Sequence, residues 1–307
     1  MKQLTQGRRW LIACASLLLS FPFSGSAQGY NEGFSVSHEF MPLNIAARPN
    51  IPVQKFTGDD FKLSFSKPLF LTSTRSRYFL LGINYEFLDF SGDHTGLDVT
   101  TVYSINPTIG YSMRLSRQWN LTALYLPMLN SDLKKIHGSD IRSGGILRAN
   151  YRVDSNFSIR ATLGYRDQFF GPQYIVLLGL DWKLDDKWRI FGDIPNNATI
   201  NYTVNAKINT GFNLIANYTS YTLSQQRQYL KNNTINTGLF GEYVFHRNLA
   251  LRLTAAYSVT RKFEVMNEGD KYGSVIDFVN SGHKPLVQSP EMKNGLAIKL
   301  GLSYRVF

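Results

Sequence analysis

The sequence predicts an all-β chain, a transmembrane antiparallel β-barrel of about 12 strands, with roughly 10 to 14 allowed by two ambiguous stretches. Three observations carry that expectation. Apolar and polar residues alternate with period two over most of the chain beyond Asp59. The connections between alternating runs switch between short turns and longer polar loops. Trp119, Trp182 and Trp188, all the tryptophans outside the N-terminal leader, stand beside short turns, where an aromatic girdle at one membrane interface would place them.

The chain opens on Lys2, Arg8 and Arg9, an apolar run from Trp10 to Phe23, and the small residues Ser24 to Ala27. This pattern predicts a secretory signal peptide over 1–27, cut after Ala27. The apolar run is shorter than the ~20 residues of a spanning helix. Cys14 is the only cysteine of the sequence and would leave with the leader, so the exported chain would have no disulfide and no thiolate metal site. No cofactor is expected. Without the three basic leader residues, 30 Lys and Arg stand against 22 Asp and Glu, a net +8. No basic cluster or helix-turn-helix pattern accompanies that charge, so nucleic acid is not an expected partner. An aromatic fraction of 14 %, with 17 Tyr and 21 Phe, suits a wall that faces lipid.

Residues 28–58 are poorly patterned: Phe34, Val36 and Phe40 hint at a first strand, and Pro42, Pro49 and Pro52 suggest a loop or plug-like connection before a barrel over 59–307. The pairs of alternating runs then follow in order. Phe61, Leu63, Phe65 and Leu69 share a face, as do Phe79, Leu81, Ile83, Tyr85 and Phe87. The clearest run covers 98–115, where Pro107 predicts a bulge. Runs over 119–130, 140–153, 157–169 and 173–184 come next. The stretch 188–204, broken by Pro195, Asn196 and Asn197, reads as a short hairpin or a bend tucked inside. Runs over 208–223, 234–245 and 249–264 precede a long loop, 265–292, and a closing strand, 294–307.

Taking the lipid face from the apolar residues fixes what points inward. Arg142, Arg148 and Arg152 on one run and Arg160 and Arg166 on the next would interleave along one interior wall. Arg114, Lys183, Arg252, Lys262 and Lys299 are also assigned inward, against Glu86, Asp98, Asp181 and Glu242. Two readings stay open: a basic pore lining that favours small anionic solutes, or a plugged barrel whose arginines pair with acids and loop residues. A hydrolase with a rim site near Asp93 and His94, in a predicted outer loop, is the alternative of a different class, but no catalytic partner set or nucleophile motif supports it.

The closing stretch alternates from Leu296 to Val306, carries Lys299, Gly301, Tyr304 and Val306 at matching positions, and ends on Phe307. It resembles the C-terminal assembly signal of bacterial outer-membrane β-barrels. The region from Trp188 to Tyr202 looks like a family of such barrels to which no activity is assigned. The resemblance implies the outer membrane of a Gram-negative-type bacterium, contact with outer-membrane lipid, and handling by the barrel-assembly machinery through the last strand. It implies no catalytic residues.

Overall fold

The computed structural model describes residues 31–45, 54–92, 99–224, 227–246, 248–272, 274–276, 279–281 and 292–306. The leader 1–27 and the loop residues Asp93, His94 and Asp98 lie outside these described residues.

Sixteen strands form one sheet: β1 (Asn31–Ile45), β2 (Gln54–Phe70), β3 (Arg77–Gly92), β4 (Thr101–Arg114), β5 (Trp119–Ser131), β6 (Ile141–Arg152), β7 (Phe157–Gln168), β8 (Gly171–Lys183), β9 (Trp188–Ile194), β10 (Asn197–Asn205), β11 (Ile208–Leu223), β12 (Gln228–His246), β13 (Leu249–Asn267), β14 (Ser274–Ile276), β15 (Val279–Ser281) and β16 (Gly295–Val306). Each strand from β1 to β13 pairs antiparallel with the next, β13 pairs with β16, and β16 pairs with β1. The result is a closed ring of 14 strands, an even number that puts both ends on one side of the membrane. The small hairpin β14–β15 stands outside the ring and adds to β8 in parallel at Gln173 and Tyr174. Among the described residues no helix is long and apolar enough to cross a membrane; the crossing is made by strands.

The lipid-facing band is written in the exposures. Leu163, Leu178, Leu239 and Leu296 are 60 %, 72 %, 67 % and 67 % exposed, while their neighbours in sequence turn inward. At the short-turn end the three tryptophans pack on outward aromatics of adjoining strands: Trp119 on Tyr151, Trp182 on Phe157, and Trp188 on Tyr202, with ring centres 4.8, 5.8 and 4.8 Å apart. The expected girdle therefore spans β5 to β10.

One device makes those short turns. The first residue of each turn accepts two backbone N–H groups on its side-chain oxygen: Ser116 from Gln118 and Trp119, Asp154 from Asn156 and Phe157, Asp185 from Lys187 and Trp188, Asn205 from Lys207 and Ile208. Asx and Ser turns satisfy donors that a two- to four-residue reversal leaves outside the ladder. The opposite end is mixed. The β7–β8 and β9–β10 connections are tight, and the β5–β6 connection carries a single 3-10 turn, Gly138–Asp140.

Four sequence expectations are corrected. The barrel begins at Asn31, so β1 and the start of β2 occupy the stretch read as unpatterned over 28–58. Alternation is hidden there because both faces of upper β1 are apolar: Phe40 points out, while Met41, Leu43 and Ile45 are buried inside. The stretch 188–204 is the short hairpin of the two readings, not a bend tucked inside. Its two wall strands, β9 and β10, with β1 bring the eleven runs named above to 14, against an expected count of about 12. Pro107 makes no bulge. The β4–β5 register is the same at Ile105↔Leu129 and Ile109↔Tyr125, so Pro107 faces Pro127 and the ladder skips that rung. A bulge lies instead at Val259 of β13, between Asn236↔Ser258 and Ile235↔Thr260. It inverts the parity of the strand beyond it, sending Arg261 inward and Lys262 outward.

Replacing Asp154 or Asp185 by alanine removes two accepted N–H bonds from a turn and should lower unfolding stability by about 1 kcal/mol each. The urea midpoint of lipid-reconstituted protein reads this, with Asp186→Ala unchanged as the control.

Candidate functional site, a basic cavity beneath a closed mouth

At the long-loop end the upper parts of β11, β12 and β13 bend inward across the lumen. Thr222 of β11 bridges Ser131 of β5 in parallel, although the two strands lie six apart around the ring. Around that bridge Asp132 N–H donates to Thr222 O at 3.0 Å, Ser224 Oγ donates to Asp132 Oδ1 at 2.7 Å, and Asn130 Nδ2 donates to Thr219 Oγ1 at 3.2 Å. The concave side of the bent sheet brings Tyr221, Leu230, Phe263 and Val265 against Met41, Leu43, Phe56, Phe90 and Val102 of the facing wall, all buried. Phe90 and Phe263 meet edge to face at 5.1 Å. This apolar cluster shuts the long-loop mouth.

Below it lies an interior cavity of about 390 Å³. Its basic wall is made by Arg148 of β6 and Arg166 of β7, its apolar side by Ile146, Ile175, Leu177 and Ile215, and its floor by Asp193, Asn196 and Asn197 of the β9–β10 hairpin. Asp193 holds two arginines: Arg148 Nη2 to Oδ2 at 3.4 Å and Arg160 Nε to Oδ1 at 3.1 Å. Arg148 Nε also donates to Thr162 Oγ1 at 3.1 Å, and Arg160 Nη2 to Gly192 O at 3.2 Å. Arg166 lies close over Gly144, where a Cβ would meet its Cγ at 3.0 Å, and has no carboxylate partner among the described residues. Arg148 and Arg160 thus share Asp193, Arg166 has no carboxylate bonded to it among the described residues, and Glu86, held by Lys62, lines the far side of the cavity.

Elsewhere in the lumen most bases have a carboxylate partner. Lys62 bridges Asp60 and Glu86 at 3.0 and 3.1 Å. Glu242 accepts from Arg252, Arg305 and Asn209. Arg189 holds Asp181 with two bonds of 2.7 Å. That pair, with Arg152, Lys183 and Asn201, lines a second cavity of about 340 Å³ at the short-turn mouth. In the turn there, the donating Lys183 ammonium holds the Asp186 carboxyl below its ordinary range.

The five sequence-selected arginines lie on one wall but at three levels. Arg142 sits at the upper rim, paired with Asp167 at 2.8 Å and stacked over Phe169. Arg148 and Arg166 line the inner cavity, Arg160 holds its floor through Asp193, and Arg152 faces the short-turn mouth. Sequence reasoning missed Asp193, because Pro195 obscured the strand that carries it. It also missed the inward Arg261, whose guanidinium donates to Pro42 O and Leu296 O beyond the bulge.

The chain belongs to the family described as a domain of unknown function, DUF6268, which matches residues 66–305. No curated protein matches it. Among solved structures it is similar to an outer-membrane channel from Pseudomonas putida F1, at 11 % identity and TM-score 0.43 over 92 % of this chain and 100 % of that one. It is similar also to the P. putida toluene transporter TodX (10 %, TM-score 0.44, 92 % and 91 % covered) and to the translocator domain of the autotransporter NalP from Neisseria meningitidis (10 %, TM-score 0.35, 99 % and 96 % covered). Likenesses at this level transfer no cargo and no residue role.

Asp193→Asn keeps the shape of the floor but leaves its arginines without a counter-charge. The expected loss is about 2 kcal/mol in unfolding stability, read from the urea midpoint and reduced in high salt.

Proposed function

We propose that this member of the DUF6268 family is an outer-membrane barrel, exported by its leader over 1–27, that admits small anionic solutes to the interior cavity and is held shut at the long-loop end. The observation that carries the reading is Arg166. Glu86 and Asp193 also line the cavity but are held by Lys62, Arg148 and Arg160. The Arg166 guanidinium therefore has no carboxylate bonded to it among the described residues, and an anionic solute completes the pair. Arg148 supports it, since its bond to Asp193 at 3.4 Å is long for a charged pair and leaves its donors available to a second anion. The short turns and tryptophan girdle would face the periplasm, with the second cavity as the entrance. Lipid meets the outward band, and the closing strand β16 is the segment offered to the assembly machinery.

In planar bilayers the native protein should conduct rarely. Tyr221→Ala combined with Phe263→Ala loosens the apolar cluster and should raise the open fraction at least tenfold. In a salt gradient the reversal potential of that opened form should show anion preference, abolished by adding Arg148→Ala and Arg166→Ala. An opened form with no anion preference defeats the proposal.

A further inference from the structure

The wall has a notch. Hairpin β9–β10 reaches only to Pro195 and Asn196, so its strands cover β8 from Leu178 to Lys183 and β11 from Ile208 to Ile215. Seven residues of β9 rise roughly 18 Å at a tilt of about 40°, against a lipid-facing band about 25 Å tall. Above the tip, β8 and β11 have no strand between them. The notch is at membrane level, because Tyr174 and Val176 of β8 and Ile276 of β14 beside it are 46 %, 48 % and 54 % exposed, in line with the rest of the apolar band.

The interior cavity reaches into this gap. It is lined by Ile215, Asn217 and Thr219 from the inward face of β11, and also by Ala216 and Tyr218 from the outward face. The cavity therefore reaches the edge of β11 that the hairpin leaves uncovered. What separates it from lipid is the segment Glu268–Tyr272 with β14, laid over the gap. Tyr272 N–H donates to Phe170 O at 2.9 Å, Tyr229 Oη donates to Asp270 O, and Lys231 Nζ donates to both Tyr272 Oη and Glu264 at 2.8 and 2.7 Å. Tyr218, Phe170, Tyr272 and Val275 fill the space beneath.

We infer that the ligand of the cavity is an amphipathic organic anion, whose charged head meets Arg166 and whose apolar tail leaves sideways through the notch toward lipid. The inference rests on the anion-binding reading of Arg166 and adds the tail and the route. The cavity is two-sided: arginines on β6 and β7, and Ile175, Leu177 and Ala216 along the path to the notch. A fully hydrated inorganic anion has no use for that second side. The segment over the notch is the cover, and the Tyr272 hydroxyl on Lys231 is its latch.

The test is isothermal titration of full-length protein in lipid nanodiscs, with empty discs as the blank, using decanoate and butyrate as probes. Decanoate should bind at least tenfold tighter than butyrate. Arg166→Gln should weaken both about tenfold, whereas Ala216→Trp, which fills the notch, should weaken decanoate alone; Ala216→Leu serves where the tryptophan variant fails to fold. Tyr272→Phe frees the latch and should speed decanoate association several-fold in stopped flow. Equal affinities, with butyrate binding still lost in Arg166→Gln, overturn the tail and the route and leave the anion site standing. Decanoate binding indifferent to both Arg166→Gln and the notch-filling variants is adsorption on the lipid face, and overturns the inference. Binding of neither probe removes both readings.

Discussion

A sheet in lipid must pair every backbone N–H and C=O with another part of the protein, since the hydrocarbon offers none. That constraint explains the closed ring, and it also explains the two places where the ring departs from a regular ladder. At the β4–β5 seam, Pro107 and Pro127 face each other, so each missing donor lies opposite a residue that also has none to offer. Two prolines in register remove both donors of one rung, and both facing carbonyls lose their ladder partners there. At the β8–β11 seam the departure is larger. A short hairpin leaves the upper edges of both strands without a neighbour, and the chain covers them by different means. β8 receives β14 in parallel, and β11 turns inward to bridge Ser131 on the far wall.

The inward turn has consequences for charge. Bent across the lumen, β11 to β13 carry an apolar concave side into the upper half, which can then hold no free ions. The polar interior is confined to the lower half, where acids and bases stand close enough to pair. Lys62, Arg189, Arg252 and Arg305 each find a carboxylate. The exception is the β6–β7 wall, where the carboxylate that pairs with Arg148 and Arg160, Asp193, comes from the hairpin whose shortness made the notch, while Glu86 on the far side of the cavity is held by Lys62. The basic cavity and the gap in the wall therefore have one structural origin.

Much of this was legible in the sequence, and the failures have physical causes. Leu296, Ile298 and Leu300 announce their lipid face because the strand is apolar on one side only, and the structure exposes all three while burying Ala297 and Arg305. Trp119, Trp182 and Trp188 mark one interface for the same reason. Period-two reading fails where a second apolar environment appears inside, as for Met41 and Leu43 on β1, and where one extra residue inverts parity, as at Val259 on β13. Neither the inward bend nor the notch follows from pattern at all. Both depend on how far a strand extends relative to strands distant in sequence, and alternation within one strand carries no information about that length.

The two closures differ in strength, and the difference decides which one yields. Sixteen buried apolar residues from the facing walls make up the cluster under the long-loop mouth. At about 1.5–3 kcal/mol for each large side chain, parting them is comparable to unfolding a small domain. The cover over the notch contributes only Tyr272 and Val275 to its own cluster of seven, with three or four hydrogen bonds at about 1 kcal/mol net each. Lifting it costs roughly a quarter of what opening the mouth does, and it leaves the ring of ladders intact. Of the two closures, the one beside Arg166 is therefore the less costly to open.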